Sequence, residues 1–334
     1  MKRYNVNKAS RFVSSNRAKR DWGKHRTEVT EGERGVGDER VWWTSVADGR
    51  ETPGLRKASH RRFVYWRKAS FEPWREIMSI YTEPRSVSDL QECYFYHTMD
   101  LPGIGKIEGN WDLRPNLKKY LGGVDFTGKR VLDVGAASGI LSFYMEQQGA
   151  EVVSFDLDKN GDWDMVPFAK WDQFEHIAAE RKSIIKKLNN AYWLAHRLLD
   201  AKAKVVYGSV YAIPAAIGLV DIAVYGSLLV HLRDPFLALQ SGLRLTRHSV
   251  IVSEILRDQR KKTKGPFLEF LPDAKTVEPK DAWWDLRPEW VVRAIGVLGF
   301  EDVKINYHTQ RYEGRDIKLY TVVGKRTHGN VASC

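Results

Sequence analysis

The chain has 334 residues, of which 43% are hydrophobic and 12% aromatic, so it can bury one large core or two smaller ones. Two cysteines, Cys93 and Cys334, are too few for a disulfide framework or a cysteine-rich metal site, and they favour a reducing cytoplasm. The net charge of +11 suggests a nucleic-acid partner, whereas the apolar runs are too short for a membrane span or a secretory signal. We therefore expect a cytoplasmic protein without a membrane segment.

The positive charge is concentrated at the start of the chain. Residues 1–70 hold 18 Lys and Arg against 8 Asp and Glu, whereas the remainder holds 35 against 34. This segment shows no sustained period of 2 or 3.6, which predicts a basic, disordered extension or residues added by an upstream start codon. The alternative is an arm that follows RNA or DNA phosphates and stacks on bases. The residues that favour such an arm are Arg56, Lys57, Arg61, Arg62, Phe63, Tyr65, Trp66, Arg67 and Lys68.

From residue 71 onward the pattern changes. Residues 71–128 contain Pro and Gly turns and predict an N-terminal cap or lid, after which strands and helices alternate. The predicted strands are 130–134, 151–158, 204–210, 221–226, 249–255, 301–309 and 317–325, and the predicted helices are 140–148, a long helix ending near 202, 235–246 and 288–299. Strands separated by helices indicate a parallel sheet covered on both faces, and the last two strands indicate a hairpin.

The sequence therefore predicts an α/β fold, a Rossmann-like, doubly wound and mostly parallel sheet of seven strands that ends in an antiparallel hairpin. This domain is expected to span 129–326, with an insertion at about 257–286 on the side that would hold a substrate. A short tail, 327–334, follows it.

The turn after the first strand, "VLDVGAASGI", is almost free of large side chains. Gly135 and Gly139 have a G-x-x-x-G spacing, which brings the backbone close to a ligand without the middle glycine of a diphosphate-binding loop. Asp156 ends the second strand, where a carboxylate can bind both hydroxyls of a ribose. Together these residues indicate a nucleoside ligand with free hydroxyls and a tail that is not a phosphate.

In these motifs the chain resembles the class I S-adenosylmethionine-dependent methyltransferases over roughly residues 110–325. "VLDVGAASG" matches the hhDhGxxxG signature, Asp156 matches the acid after the second strand, and 301–325 matches the closing hairpin. The resemblance implies S-adenosylmethionine as cofactor. It implies that Asp133 and the glycines hold the methionine end, that the small residues after Gly135 let the loop approach, and that Asp156 holds the ribose. The implied cofactor residues are Asp133, Gly135, Ala136, Ala137, Gly139, Asp156, Leu157, Ser209, Val210 and Tyr225.

Acceptor residues are expected around the same end of the sheet. His231, just after the fourth strand, is the candidate general base, and its alternative role is packing at a helix start. The cap and the insertion carry the candidate acceptor-binding residues Tyr96, His97, Trp111, Arg114 and Trp284, several of which could equally be packing residues. No cluster with metal-ligand spacing is evident, so no metal is predicted.

"GNWDLRPNLKKYL" and "GSLLVHLRDPFLAL" are similar to the branch of the family that contains the tRNA wobble-uridine carboxymethyltransferases. That branch uses a carboxylated cofactor, but its "RKGPF" stretch is not at the expected place here. Three functions stay open: methyl transfer to a small or glycan-linked acceptor at oxygen, modification of tRNA with the help of residues 1–70, and cofactor binding without catalysis. The oligomeric state is open too.

Overall fold

The computed structural model describes residues 29–35, 40–46, 79–257 and 265–329. The chain divides into two compact units, Met1–Pro73 and Trp74–Cys334. In the first unit, β1 (Val29–Gly35) pairs antiparallel with β2 (Arg40–Val46), a pair that the sequence did not predict. The remainder of 1–70 lies outside the described residues, so its disorder stays a prediction.

The described part of the second unit contains the predicted alternation of strands and helices, with ends shifted by a few residues. Its strands are β3 (Met99–Leu101), β4 (Gly105–Ile107), β5 (Trp111–Asp112), β6 (Arg130–Val134), β7 (Glu151–Asp156), β8 (Lys204–Tyr207), β9 (Val220–Gly226), β10 (Thr246–Ile255), β11 (Leu268–Phe270), β12 (Trp284–Leu286), β13 (Asp302–Tyr312) and β14 (Arg315–Lys325). Its helices are α1 (Leu117–Tyr120), α2 (Ile140–Gln147), α3 (Phe174–Leu198), α4 (Pro235–Leu243) and α5 (Pro288–Val297).

The central sheet has the strand order β5-β13-β14-β10-β9-β6-β7-β8. The strands β10, β9, β6, β7 and β8 are parallel, while β13 and β14 form the antiparallel hairpin. The predicted doubly wound, mostly parallel sheet is therefore confirmed. The predicted count of seven strands is wrong, because β5 adds an eighth strand at the edge of β13. Two residues are too few to give a strand pattern in the sequence.

Helices cover both faces of this sheet because its inner strands are apolar on both sides. One cluster of buried side chains joins the sheet to α1, α2 and α3, and the other joins it to α4 and α5. Gly139 precedes α2 and Gly149 follows it, both with positive φ, so glycines mark both ends of the helix that follows the G-x-x-x-G turn. Because the five strands β10, β9, β6, β7 and β8 are parallel, their carboxyl ends meet at one edge of the sheet.

The cap and the insertion lie at that edge. In the cap, β3 pairs with β4, and the segment is tied to α3 by hydrogen bonds from the Tyr94 amide to the Lys187 carbonyl (3.0 Å) and from Asn190 Nδ2 to the Glu92 carbonyl (2.9 Å). In the insertion, β11 pairs with β12. The described residues do not include 71–78 of the predicted cap, 258–264 of the predicted insertion or 330–334 of the predicted tail.

Candidate active site

A cavity of about 470 Å³ opens at the carboxyl ends of β6, β7, β8 and β9. The strand order reverses between β6 and β9, and ligands of open α/β sheets bind in the crevice at such a switch point. The cap, the loop between β7 and α3, and the insertion each contribute side chains to the cavity. Its volume lies within the range of small-molecule sites.

The turn after β6 forms the floor of this cavity. Gly135 has a φ of +82° and Ala137 a φ of +49°, and the Gly135 amide donates to the Phe155 carbonyl (2.8 Å). The Ala137 amide donates to Asp156 Oδ2 (2.6 Å), and the Leu157 amide donates to Asp156 Oδ1 (2.7 Å). The two backbone segments and the carboxylate are thereby locked together.

The Asp156 carboxylate keeps acceptor capacity beyond these two bonds, because each oxygen can accept more than one hydrogen. Burial raises the pKa of Asp156, and the two backbone amides act in the opposite direction. A partly buried carboxylate fixed at the rim of a nucleoside-sized cavity is suited to bind a pair of hydroxyls.

Glycine is required at both ends of the turn. A Cβ on Gly135 would lie 3.1 Å from Leu228 Cδ2 and would occupy the space in which the backbone of the turn can approach a ligand. A Cβ on Gly139 would overlap with the Phe143 ring and would lie 2.9 Å from Tyr192 Cδ2. Gly139 therefore serves the packing of α2, and it is not among the residues that line the cavity.

Six of the ten residues predicted to bind a cofactor line the cavity together. They are Gly135, Ala137, Asp156, Leu157, Ser209 and Val210. The Ser209 side chain accepts from the Tyr211 amide (3.4 Å) and so stabilises the turn after β8. The other four predicted residues do not line the cavity, and each has a structural reason.

Asp133 is fully buried beneath α2 instead of facing the cavity. Its Oδ2 accepts from Ser142 Oγ (2.5 Å), which lies 2.7 Å from Ser154 Oγ, and Ser154 in turn lies 2.7 Å from the Tyr192 hydroxyl. Burial raises the pKa of Asp133 to about 7. The residue thus ties β6 to α2, β7 and α3 at the base of the turn.

Tyr225 and Ala136 also differ from the prediction. Successive side chains of a strand point to opposite faces, and Tyr225 points to the α4 face, where its hydroxyl donates to the Ala238 carbonyl (3.1 Å). Ala136 is buried in the core under α2, and its carbonyl accepts from the Gly139 amide (2.8 Å). Both residues support the site without lining it.

His231 lies where the sequence predicted it, in the 3-10 turn Leu229–His231 after β9. Its Nδ1 contacts the Asp281 carbonyl, which can only accept, so Nδ1 carries the proton and Nε2 is left as an acceptor. Burial lowers the pKa of His231 and keeps the ring neutral. Glu254 Oε1 accepts from the Leu229 amide (2.7 Å) and holds the turn in place.

The Asp281 side chain completes a bridge across the cavity. It forms a two-pronged ion pair with Arg181 of α3, with Arg181 Nε 3.0 Å from Asp281 Oδ1. The Arg181 guanidinium also lies 5.8 Å from the centre of the Trp163 ring. The insertion, α3 and the loop after β7 are therefore joined over the ligand space.

Of the predicted acceptor residues, Tyr96 and His97 line the cavity. Burial lowers the pKa of His97 to about 4, and its Nδ1 is buried without a hydrogen-bond partner among the described residues. Trp111 lies behind them, where its Nε1 donates to the Tyr96 hydroxyl (3.1 Å) and its ring packs on Tyr312. Trp111 thus orients Tyr96 instead of touching the cavity.

Arg114 and Trp284 do not reach the cavity. Arg114 is held by both oxygens of Asp112 (2.8 Å each) and by Asp100 (2.6 Å), so its charge is used within the cap. Trp284 Nε1 donates to the Leu232 carbonyl (3.1 Å), and its ring packs against Phe270 of the insertion. Neither side chain lines the cavity, so their roles in acceptor binding stay predictions.

Several cavity residues were missed by the sequence analysis. They are Tyr94, Trp163, Asp164, Arg181, Asp281 and Tyr312. Arg181 and Asp281 lie 100 residues apart in the sequence. The loop that carries Trp163 has no hydrophobic periodicity from which its structure could be predicted. A tryptophan between two aspartates in a long loop after β7 was the available signal.

In the part of the chain that the structure describes, no group of three or more His, Cys, Asp or Glu side chains is arranged to hold a metal ion. Within the same residues, no helix is long and apolar enough to cross a bilayer.

No family model matches the sequence, and no curated protein matches it. Solved structures do show a likeness. The N-terminal domain of EvdMO1, solved with S-adenosylhomocysteine and D-fucose, is 16% identical with a TM-score of 0.41, and the match covers 69% of this chain and 90% of that one. Magnesium protoporphyrin IX methyltransferase from Synechocystis PCC 6803 is 13% identical with a TM-score of 0.42, covering 64% and 82%.

A third similar structure is 1,6-didemethyltoxoflavin-N1-methyltransferase from Burkholderia thailandensis, which is 14% identical with a TM-score of 0.37 and covers 65% of this chain and 78% of that one. At these identities and TM-scores the likenesses are distant.

Proposed function

We propose that the chain is an S-adenosylmethionine-dependent methyltransferase that acts on a small-molecule acceptor, at an oxygen atom. The observation that carries the proposal is the meeting of two sets of residues in one cavity at the switch point of the sheet. The cofactor half of the cavity consists of Gly135, Ala137, Asp156, Leu157, Ser209 and Val210. Across from it, a neutral His231 offers an unprotonated Nε2.

The cofactor half fits a nucleoside with an uncharged link to its tail. The turn approaches through Gly135 and offers no cationic side chain for a diphosphate, and Asp156 is positioned for ribose hydroxyls. Leu157 and Val210 give apolar surfaces for a base, and Ser209 gives a polar edge. When bound there, S-adenosylmethionine supplies a methyl group on a positively charged sulfur.

The protein's own contribution is alignment and proton removal. The turn and Asp156 fix the cofactor, the cap and insertion exclude water, and the acceptor is held between them, which is the main source of rate in a displacement at carbon. His231 Nε2 takes the proton of the acceptor hydroxyl, and the Asp281 carbonyl stabilises the protonated ring through Nδ1.

Binding of S-adenosylmethionine by titration calorimetry tests this proposal first. Asp156→Asn keeps the shape of the side chain but removes the charge that faces the ribose, and its amide can accept from only one of the two backbone N–H groups. We expect a loss of about 1–3 kcal/mol of binding free energy, because charged hydrogen bonds contribute roughly that amount. The matched control is Asp158→Asn, two residues further along, which does not line the cavity and should bind normally. Equal affinity of the wild type and Asp156→Asn would contradict the proposed site.

The alternatives differ in what they predict. A module without catalysis would bind the cofactor tightly and give no S-adenosylhomocysteine with any acceptor. Modification of tRNA, including carboxymethyl transfer, depends on residues 1–70, most of which lie outside the described residues. A glycan-linked acceptor, methylated at oxygen, is a further alternative to a free small molecule. Methyl-labelled cofactor incubated with separated RNA, glycan and small-molecule fractions distinguishes these cases.

A further inference from the structure

The cavity beyond the cofactor half has walls of aromatic rings. Tyr94 and Tyr96 come from the cap, Trp163 from the loop after β7, and Tyr312 from the end of β13. We call these four residues, together with Arg181 and Asp281, the acceptor half. Aromatic side chains from three separate segments that face one cavity favour a flat ligand, because rings stack with offset or edge-to-face contacts.

Arg181 shows that these rings surround a common space. Its guanidinium lies 5.8 Å from the centre of the Trp163 ring, and both residues line the same cavity as Tyr94. Tyr94 and Tyr96 have ring centres 6.4 Å apart, so the two rings form one wall of the cavity, which we call the cap wall.

The charges around this space are already paired. Arg181 is bound to Asp281, Asp162 lies 3.0 Å from Lys182 Nζ, and Asp164 lies 3.3 Å from Arg233 Nη2. Among the described residues that line the cavity outside the cofactor half, no charged side chain lacks a partner of opposite sign. A carboxylate or phosphate on the ligand would lose its hydration there without gaining a partner of its own, which is unfavourable.

The hydrogen-bonding groups that remain are neutral. The Tyr96 hydroxyl accepts from Trp111 Nε1, so its own proton is available, and burial raises the pKa of Tyr96 to about 12. His97 and His231 are neutral rings on the same cavity. Such groups can donate to and accept from a ligand hydroxyl without a change of charge.

The basicity of His231 restricts the kind of hydroxyl. Its pKa lies below the ordinary histidine value of about 6.5, whereas a phenol such as tyrosine ionises near 10 and a water-like hydroxyl near 15.7. Proton transfer is most effective when the two values are close. The phenol is therefore the better match by about 6 pKa units.

We infer that the acceptor is an uncharged aromatic hydroxyl compound, a phenol or catechol, that lies between the Trp163 and Tyr94–Tyr96 walls with its hydroxyl at His231. The inference rests on the proposed function. The phenol oxygen bonds to the methyl carbon as the carbon–sulfur bond breaks and its electron pair goes to sulfur. The phenol proton goes to His231 Nε2, and S-adenosylhomocysteine is released.

The test uses the full chain with S-adenosylmethionine and four probes: 4-methylcatechol, 3,4-dihydroxybenzoate, methyl fucoside and uridine. S-adenosylhomocysteine release gives turnover, and calorimetry gives the binding of the cofactor and of each probe separately. We expect kcat/KM for 4-methylcatechol to exceed that of each other probe at least tenfold. The charged 3,4-dihydroxybenzoate is the matched control for ring shape and hydroxyl position.

Trp163→Leu should weaken 4-methylcatechol binding about tenfold while cofactor affinity stays unchanged. The control is Trp171→Leu on the same loop, whose ring packs against Phe168 and Phe174 and does not line the cavity, and whose catechol affinity should match the wild type.

The outcomes separate the two proposals. Cofactor binding with a preference for methyl fucoside, uridine or 3,4-dihydroxybenzoate overturns the phenol inference and leaves methyl transfer in place. Cofactor binding without binding or turnover of 4-methylcatechol overturns the inference as well. Failure to bind the cofactor overturns the proposed function itself. An equal loss of catechol affinity in Trp163→Leu and Trp171→Leu shows that the Trp163 ring is not part of the acceptor site, which also overturns the inference.

Discussion

His231 presents a single tautomer to the cavity, because its Nδ1–H donates to the Asp281 carbonyl. Replacing it by glutamine removes the base and keeps a polar side chain of similar reach. We expect His231→Gln to lower kcat by about 10²–10⁴, the usual contribution of a general base, with unchanged cofactor affinity. Turnover with the preferred acceptor measures this loss. His176→Gln, an exposed histidine on α3, is the control and should keep full activity.

The pH profile of the wild type gives an independent reading of the same residue. Burial lowers the pKa of His231 below the ordinary value of about 6.5, and a base works only when it is unprotonated. The acidic limb of kcat should therefore lie below pH 6.5, with a plateau above it. A limb centred above pH 6.5 would show that another group controls the reaction.

At the scale of an element, the two glycines that flank α2, Gly139 before it and Gly149 after it, differ in how closely other side chains surround them. Gly139 and Gly149 both have positive φ, but only Gly139 is surrounded closely, by Phe143 and Tyr192. An alanine at either position costs about 1 kcal/mol of unfolding free energy through φ, and overlap adds about 1–3 kcal/mol at Gly139. Urea unfolding should show a clearly larger loss for Gly139→Ala than for Gly149→Ala. Equal midpoints would mean that α2 shifts to make room.

How far the sequence could predict each element depends on whether the determining contacts are local. Gly135, Gly139 and Asp156 lie within one strand–turn–helix–strand unit, so their spacing carries the information. The face to which Tyr225 points could not be read from β9, because an inner strand is apolar on both sides. The Arg181–Asp281 bridge joins segments 100 residues apart, and no local pattern encodes such a contact.

For the whole molecule, the buried Asp133 makes stability depend on pH. Its pKa is about 7 in the folded chain against about 3.9 when unfolded, so between these values the folded state holds a proton that the unfolded state has released. Stability should therefore fall as pH rises from about 4 to 7, by at most about 1.4 kcal/mol per pH unit from this residue. Asp133→Asn keeps an acceptor for Ser142 and should remove that fall.

Unfolding free energies of both proteins across this pH range check the prediction, and their difference isolates Asp133. Glu254, whose pKa burial raises to about 8, contributes in the same direction in both proteins and cancels. Parallel stability curves would show that Asp133 is already ionised at low pH.

The pairing of β5 with β13 has a consequence for the time at which the site forms during synthesis. It fixes Trp111 beside Tyr312, about 200 residues later in the chain. A ribosome adds roughly 5–20 residues per second, so the cap wall waits roughly 10–40 s for its partner strand. The cofactor half, by contrast, has all its residues synthesised once the chain reaches Val210. On a nascent chain, the pairing of Trp111 with Tyr312 is thus among the last contacts near the cavity to form.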